Sequence, residues 1–267
     1  MCAARGGIMQ DPTQRFSDRV ENYVKYRPTY PKEILDVLKV ECRLTASSVI
    51  ADVGSGTGIL TRLLLDNGNR VSGIEPNREM REAGERLLSE YPGFTSIAAT
   101  AESTTLPDHS VDFVTAGQSF HWFDREKARA EFVRILKPTG WVVLVWNDRQ
   151  LGSTPFLQAY ENLLLAYATD YKEVDHKRIT GDVIASFFRP GEFKLKRLAN
   201  QQLFDFEGIR GRLLSSSYAP EKGHPNHVLM LNNLRSIFQA HQVGGQVSFE
   251  YDTLVYYGHL VSRTFEL

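Results

Sequence analysis

Short apolar runs alternate with helical patterns through the first half of the chain. Five segments rich in apolar and β-branched residues are typical of strands, and the segments between several of them have apolar residues at helical spacing. The strands are predicted over residues 49–53, 70–74, 94–98, 111–116 and 140–146, and the helices over 58–67, 77–90 and 126–136. This alternation predicts βαβ units and a parallel sheet.

The second half of the chain alternates less clearly. Ser153 can cap a helix that continues to Tyr167 with its apolar residues on one face. Residues 225–242 also predict an amphipathic helix. Its inward side chains are expected to be Val228, Leu231, Leu234 and Phe238. Residues 247–257, rich in aromatic residues and valine, predict a closing strand, whereas residues 171–191 give no clear pattern.

Composition narrows the class of protein. The 267 residues include 31 basic and 32 acidic side chains, a formal charge of −1. Proteins that bind nucleic acid through phosphate contacts usually carry a net positive charge, which this chain does not have. Cys2 and Cys42 are not spaced as metal ligands. No run of apolar residues is long enough for the core of a signal peptide or for a membrane-spanning helix. We therefore expect a cytoplasmic globular protein without a metal, nucleic-acid or membrane partner, as a monomer or homodimer.

A glycine-rich loop follows the first predicted strand. Gly54, Gly56 and Gly58 lie between Asp52 and a predicted helix, and Glu75 directly follows the second strand. Glycines allow a tight turn and a close approach to a ligand, and the helix N-terminus offers free N–H groups. A carboxylate after the second strand can accept hydrogen bonds from both hydroxyls of a ribose.

The spacing of the loop separates two ligand classes. A dinucleotide site has the pattern G-x-G-x-x-G, but here the third glycine comes one residue early and Ile59 occupies its place. The G-x-G-x-G spacing instead fits an adenosyl ligand that carries an amino acid, with Asp52 near its ammonium. An NAD(P)-dependent oxidoreductase and a purely structural turn remain possible on this pattern.

The motifs together resemble a known family. They are Asp52-Val-Gly-Ser-Gly-Thr-Gly58, Gly73-Ile-Glu75-Pro76, Ala101-Glu102, Leu106-Pro-Asp-His-Ser-Val-Asp112 and Leu136-Lys-Pro138 followed by Gly140. In this order the chain resembles the class I S-adenosylmethionine-dependent methyltransferases of the methyltransferase type 11 group. Its flanks, residues 23–31 and 118–123, are similar to the trans-aconitate methyltransferase-like branch.

The resemblance implies an α/β Rossmann-like fold. We expect a doubly wound, mostly parallel seven-stranded sheet with helices on both faces and an antiparallel last strand, residues 193–204 being a candidate for the sixth strand. A single domain over 1–267 is expected. It would consist of a core (45–150), an N-terminal cap (11–40) and C-terminal elements around the acceptor pocket (150–267).

The resemblance also implies a site for S-adenosyl-L-methionine. The glycines would pass beneath the methionyl part, Glu75 would hold the ribose, Ala101 and Glu102 would meet the adenine, and Gln118 would lie beside the sulfonium. The predicted cofactor-binding residues are Asp52, Gly54, Ser55, Gly56, Gly58, Glu75, Pro76, Ala101, Glu102 and Gln118.

Candidate acceptor-binding residues flank this core. His121 and Trp122 follow the fourth strand, where open α/β sheets bind ligands, and His121 is a candidate general base. The other candidates are Tyr23, Tyr26, Arg27 and Tyr30 before the sheet, Asn147 after the fifth strand, and Tyr218. Each side chain could instead serve only packing, and the pair His224 and His227 lacks a third ligand for a metal.

The sequence thus predicts a methyltransferase that acts on a small molecule by in-line transfer, a carboxylate being one candidate acceptor. Besides the oxidoreductase, a nucleic-acid methyltransferase and a non-catalytic adenosyl-binding protein remain possible.

Overall fold

A seven-stranded sheet forms the centre of the molecule in the computed structural model, which describes residues 25–169, 171, 179–216 and 218–261. The strands are β1 (Val49–Val53), β2 (Arg70–Ile74), β3 (Phe94–Ile97), β4 (Val111–Gly117), β5 (Leu136–Arg149), β6 (Phe193–Phe204) and β7 (Val247–Gly258). Their order across the sheet is β3-β2-β1-β4-β5-β7-β6.

Helices connect and cover these strands. They are α1 (Glu33–Cys42), α2 (Ile59–Asp66), α3 (Arg78–Leu87), α4 (Arg125–Ile135), α5 (Pro155–Tyr167), α6 (Gly181–Phe188), α7 (Phe206–Leu214) and α8 (Pro225–His241), with a 3-10 turn at Phe120–Trp122. No helix of the described residues is long and apolar enough to cross a membrane.

The topology confirms the predicted fold class. Strands β1 to β5 pair in parallel, whereas β7 is antiparallel to both β5 and β6. The chain order reverses between β1 and β4, because β2 and β3 lie on one side of β1 and the later strands lie on the other. In open α/β sheets this switch point opens a crevice at the carboxyl ends of the strands.

Alternate residues of β5 explain why both faces of the sheet are covered. Val142 and Leu144 pack in one buried cluster, with Phe132 of α4, whereas Val143 and Val145 pack in a second cluster on the opposite face. Successive strand residues point to opposite faces, so a continuous apolar run requires helices on both sides. A third buried cluster joins α5, α7 and α8 to the end of β6 and the start of β7.

The structure corrects parts of the predicted second half. Thr154, not Ser153, caps α5 by accepting a hydrogen bond from the Leu157 N–H at 3.1 Å. In α8, Val228 is 63% exposed instead of inward, while Met230 and Leu234 are buried. Helices α6 and α7 were not predicted, because short apolar runs such as that of α6 have no distinctive period.

Candidate active site at the sheet switch point

The glycine loop leaves β1 in a backbone conformation that most side chains avoid. Gly54, Gly56 and Gly58 have φ angles of 66°, 56° and 87°. A Cβ added at Gly54 would lie 2.5 Å from the Cβ of Ser119, which is too close for non-bonded atoms. The Gly54 N–H donates to the Ile74 carbonyl at 2.8 Å, which ties the loop to the end of β2. Position 54 therefore requires glycine for both conformation and space.

A cavity of about 560 Å³ lies beside this loop. It is lined by residues at or just after the carboxyl ends of β1, β2, β4 and β5 and by parts of the N- and C-terminal segments. Of the predicted cofactor-binding residues, those that line it are Gly54, Gly56, Glu75, Pro76, Ala101, Glu102 and Gln118. The structure thus brings these residues together, and their contact with a cofactor stays a prediction.

Glu75 is held in place by backbone N–H groups that follow β1 and β2. Its Oε2 accepts a hydrogen bond from the Gly56 N–H, and its Oε1 accepts one from the Asn77 N–H, each at 2.8 Å. Burial raises the pKa of Glu75, and these backbone hydrogen bonds oppose the increase. Each carboxylate oxygen keeps a further acceptor position, so the side chain can bind two adjacent hydroxyls.

Asp52 does not line the cavity, contrary to the role predicted for its side chain. Its carboxylate is 1% exposed and accepts hydrogen bonds from the hydroxyls of Thr61 (2.6 Å) and Thr115 (2.8 Å). Burial raises its pKa to about 6, which the two threonines partly counteract. Asp52 therefore joins β1, α2 and β4 beneath the loop. Ser55 and Gly58 also lie outside the cavity wall.

Gln118 connects the ends of β4 and β5. It has a φ of 56°, which is uncommon for a side chain larger than glycine. Its Oε1 accepts a hydrogen bond from the Asn147 N–H at 2.7 Å, and its own N–H donates to the Val145 carbonyl at 2.9 Å. Asn147 in turn donates to the Thr29 carbonyl through Nδ2, at 3.2 Å. Residues before the sheet are thus tied to the end of β5.

Glu102 forms the cavity wall beside Ala101. Its Oε1 accepts a hydrogen bond from the Asp124 N–H at 2.9 Å, so the carboxylate is held near the start of α4. Ala101 is buried and lines the cavity next to it. Both residues line the cavity, and the adenine contacts that the family resemblance implies stay a prediction.

His121 and Trp122 line the same cavity from the 3-10 turn. Their ring centroids are 4.6 Å apart, and both side chains are half-buried. The neighbouring Phe120 is fully buried and anchors the turn, with edge-on contacts to Trp146 and Phe187. The packing of Phe120 therefore holds the turn in place, with His121 and Trp122 at the cavity.

The N-terminal candidates divide into two groups. Arg27 and Tyr30 line the cavity, and the Arg27 guanidinium donates to the Ser215 carbonyl at 3.3 Å. Tyr26 does not line the cavity, because its ring packs on Gly211 of α7, where any Cβ would overlap it. The prediction for Tyr23 lies outside the described residues.

Asn147 and Tyr218 line the cavity, and their predicted contact with an acceptor stays a prediction. The wall also contains residues that sequence patterns did not identify. They include Asn77, Met80, Ser119, Phe123, Trp146, Arg149, Leu151, Ile179, Arg212, Tyr251, Leu254 and Tyr256. Arg149 could have been found, because it lies two residues after Asn147 on the same strand face. Tyr251 and Arg212 could not, because only tertiary packing brings them to the site.

No metal centre is found within the described part of the chain, which holds no group of three or more His, Cys, Asp or Glu side chains suited to one. His224 caps α8 by accepting from the Asn226 N–H at 3.1 Å. The His227 ring is hydrogen-bonded to the Pro220 carbonyl at 2.8 Å. Both histidines thus have local structural partners.

Part of the chain is similar to known proteins. Residues 51–144 match the model of a methyltransferase domain family, the type 11 group. An uncharacterized methyltransferase of Schizosaccharomyces pombe is 33% identical over 150 residues, 56% of this chain and 58% of the relative. One of Mycobacterium tuberculosis is 37% identical over 145 residues, 54% of this chain and 57% of the relative. The alignments therefore span less than two thirds of these relatives.

Solved structures share the fold. A protein assigned as a type II methyltransferase from Anaeromyxobacter dehalogenans has a TM-score of 0.66 at 19% identity, covering 89% of this chain and 100% of that one. Phosphoethanolamine N-methyltransferase 2 of Haemonchus contortus, with S-adenosylhomocysteine and phosphomonomethylethanolamine, has a TM-score of 0.53 at 13% identity, covering 93% and 58%. Residues 51–144 of this chain thus match a methyltransferase domain model, and the chain shares its overall fold with these solved structures.

Proposed function

We propose that the protein transfers a methyl group from S-adenosylmethionine to a small molecule bound in the same cavity. The observation that carries this proposal is the shared wall formed by Gly54, Gly56, Glu75 and Glu102. S-adenosylmethionine bound there would supply a methyl group on a positively charged sulfur. The acceptor nucleophile would bond to the methyl carbon opposite the sulfur, and the carbon–sulfur bond would break to leave a neutral thioether.

The residues of the wall fit this cofactor. Glu75 would accept hydrogen bonds from the two ribose hydroxyls, because its carboxylate is already oriented by the Gly56 and Asn77 N–H groups. The open backbone at Gly54 and Gly56 would accommodate the methionyl chain. Glu102 and the backbone of Ala101 would meet the adenine edge. Asp52 would act indirectly, by holding β1, α2 and β4 in place.

The acceptor is proposed to be small. A cavity of about 560 Å³ has to hold both reactants, which limits the size of the acceptor. Orientation of two bound reactants can supply about 7–11 kcal/mol of the barrier reduction. A carboxylate acceptor would need no general base, whereas a hydroxyl or amine would, and His121 is the candidate for that role.

The names of relatives support this assignment. The relatives of S. pombe and M. tuberculosis are named methyltransferases. The enzyme of H. contortus was solved with a small phosphorylated amine and the demethylated cofactor product. We extend only the cofactor and the transfer of a methyl group to the present protein, because its overall identity to that enzyme is low.

Binding measurements test the proposal before any acceptor is known. Isothermal titration calorimetry with S-adenosylhomocysteine should give a micromolar or lower dissociation constant, and NAD should give no measurable heat. Tighter binding of NAD would favour the oxidoreductase. Incubation with S-adenosylmethionine labelled on the methyl group and a panel of carboxylates, phenols and amines should then label one acceptor class.

The acceptor panel also distinguishes a small-molecule enzyme from a binding protein and from an enzyme that modifies nucleic acid. Labelled product from any small acceptor excludes a non-catalytic adenosyl-binding protein, and label in added DNA or RNA alone would favour a nucleic-acid methyltransferase. We further propose a cytoplasmic monomer or homodimer without a membrane partner; the presence of only two cysteines, Cys2 and Cys42, supports the reducing compartment. Light scattering after size-exclusion chromatography measures the oligomeric state.

A further inference from the structure

Two arginine side chains lie almost fully buried in the cavity wall formed by β5, β7 and α7. Arg212 of α7 is 6% exposed, and the Arg149 side chain at the end of β5 is 11% exposed. Both adjoin Tyr251 of β7. Arg149 is the direct cross-strand neighbour of Tyr251, and Arg212 lies close enough to the Tyr251 side chain to interact with it electrostatically. The two guanidinium groups therefore flank one tyrosine at the cavity.

The charges of these two arginines are balanced differently. Arg149 forms an ion pair with Glu161, and its Nη2 also donates to the Tyr171 hydroxyl at 3.0 Å. Arg212 donates to the Ser216 hydroxyl at 3.1 Å and lies 6.0 Å from the Phe249 ring centre. Among the residues that the structure describes, no carboxylate lies within 4.0 Å of Arg212. The wall thus carries one buried positive charge without an acidic partner in that part of the chain.

Hydrogen-bonding capacity at the same place is also unused. Nη1 of Arg149 and Nε of Arg212 are buried and make no hydrogen bond within the described part of the chain. A guanidinium presents its N–H groups as a planar fork that matches the two oxygens of a carboxylate. Burying such a group without a partner is unfavourable, so its presence beside a cavity points to a ligand.

We propose that Arg212, together with Tyr251 and Arg149, binds a carboxylate group of the acceptor. This inference rests on the proposed methyltransferase function and specifies the substrate class of that site. One unbalanced positive charge matches a monoanionic carboxylate better than a dianionic phosphate. Trp146, Leu254 and Tyr256 line the same cavity, so an acceptor with an apolar body as well as a carboxylate would fit it.

A purely structural role for Arg212 makes a different prediction. Arg212 lies in the last turn of α7, where a positive charge interacts favourably with the helix dipole, and it bonds Ser216 within the fold. If Arg212 serves only to make these contacts, Arg212→Met lowers the melting temperature of the protein. If Arg212 is kept for a ligand, removal of the buried charge leaves the melting temperature of the ligand-free protein unchanged or raises it.

Matched acids and amides provide the test. Benzoate, phenylacetate and hexanoate are titrated against benzamide, phenylacetamide and hexanamide, with and without S-adenosylhomocysteine, on the full chain. At least one acid should bind about tenfold or more tightly than its amide. Arg212→Met should abolish this preference, Arg212→Lys should weaken it, and Tyr251→Phe should reduce it. Arg210→Met is the control, because Arg210 lies on the same helix, is 45% exposed and pairs with Glu207.

The outcomes separate the two proposals. Failure of S-adenosylhomocysteine to bind the wild-type protein contradicts the proposed function, while the acid–amide comparison without it still tests the carboxylate site. Equal binding of every acid and its amide overturns the carboxylate site, as does tighter binding of phenyl phosphate than of benzoate. An Arg212→Met variant that keeps the acid preference and melts more than about 5 °C lower assigns Arg212 to the fold.

Discussion

Oε2 of Glu75 accepts a hydrogen bond from the Gly56 N–H at 2.8 Å. The carboxylate that follows β2 and the loop that follows β1 are therefore fixed relative to each other. This hydrogen bond joins the glycine loop and the carboxylate, which lie 19 residues apart in the sequence, in one wall of the cavity. Any ligand that bonds to Glu75 also meets the glycine loop, which is the geometry expected for a nucleoside with an attached chain.

Replacement of Glu75 should remove cofactor binding. We expect Glu75→Ala to weaken S-adenosylhomocysteine binding by at least about tenfold, equivalent to about 1.4 kcal/mol. Glu75→Gln should weaken it less, since the amide keeps one acceptor oxygen. Calorimetric titration measures the affinities. The control is Glu90→Ala, which removes an exposed carboxylate beyond the end of α3. Unchanged affinity in Glu75→Ala would contradict the ribose assignment.

Asp52 should make stability depend on pH. Its pKa is about 6 in the folded protein and near 3.8 when unfolded, so folding takes up a proton between these values. The free energy of unfolding should therefore fall as pH rises from about 4 to 6, by about 3 kcal/mol from this residue, and change little above that. In Asp52→Asn this contribution to the decrease in the free energy of unfolding should be absent.

Urea unfolding of the wild type and Asp52→Asn at pH 4.5, 5.5 and 7 measures this difference. The same variant should keep its affinity for S-adenosylhomocysteine within about threefold, because the carboxylate lies behind the cavity wall. If Asp52→Asn greatly weakened S-adenosylhomocysteine binding without lowering the free energy of unfolding, the result would favour the direct contact with the ligand's ammonium that the sequence predicts.

The first half of the fold could be predicted closely from the sequence. The bounds of β1 and β2 agree with their apolar runs, and Glu75 was identified by its place after β2. These features depend on local patterns, namely β-branched runs, glycines and helix periodicity. The doubly wound architecture follows from them, because parallel strands need helical connections.

The acceptor side could be predicted only in part. His121, Asn147 and Tyr218 reach the cavity, but Tyr26 packs on α7 and Asp52 lies beneath the loop. Side-chain direction at these positions depends on contacts far apart in sequence, such as that between Tyr26 and Gly211. Residue type and spacing carry no information about such contacts, so a single sequence does not reveal them.

Gly54→Ala should cost more stability than an alanine at another left-handed glycine. Gly244 has a φ of 60°, similar to the 66° of Gly54, but a Cβ there would meet no atom within 4 Å. Gly244→Ala should therefore cost only backbone strain, about 1 kcal/mol. Gly54→Ala adds the clash with Ser119 and should cost about 3 kcal/mol. Urea unfolding of both variants measures the contrast, and equal costs would show that Ser119 moves away.

His121→Ala should separate catalysis from cofactor binding. If His121 is the general base for a hydroxyl or amine acceptor, we expect kcat to fall by about 10²-fold or more, with S-adenosylhomocysteine affinity unchanged within about twofold. The acidic limb of the pH–rate profile should be lost in the variant, because an imidazole must be neutral to accept a proton. His241→Ala, at the end of α8 and outside the cavity, is the control.

The result depends on the acceptor class and so also bears on the mechanism. With a carboxylate acceptor, His121→Ala should keep the pH profile of the wild type and change kcat only modestly, because no proton has to be removed. Trp122→Phe tests packing at the same turn without a change in proton transfer. Equal losses in kcat and cofactor affinity for His121→Ala would assign the histidine to the cofactor wall, and an unchanged kcat with an amine or hydroxyl acceptor would exclude it as the base.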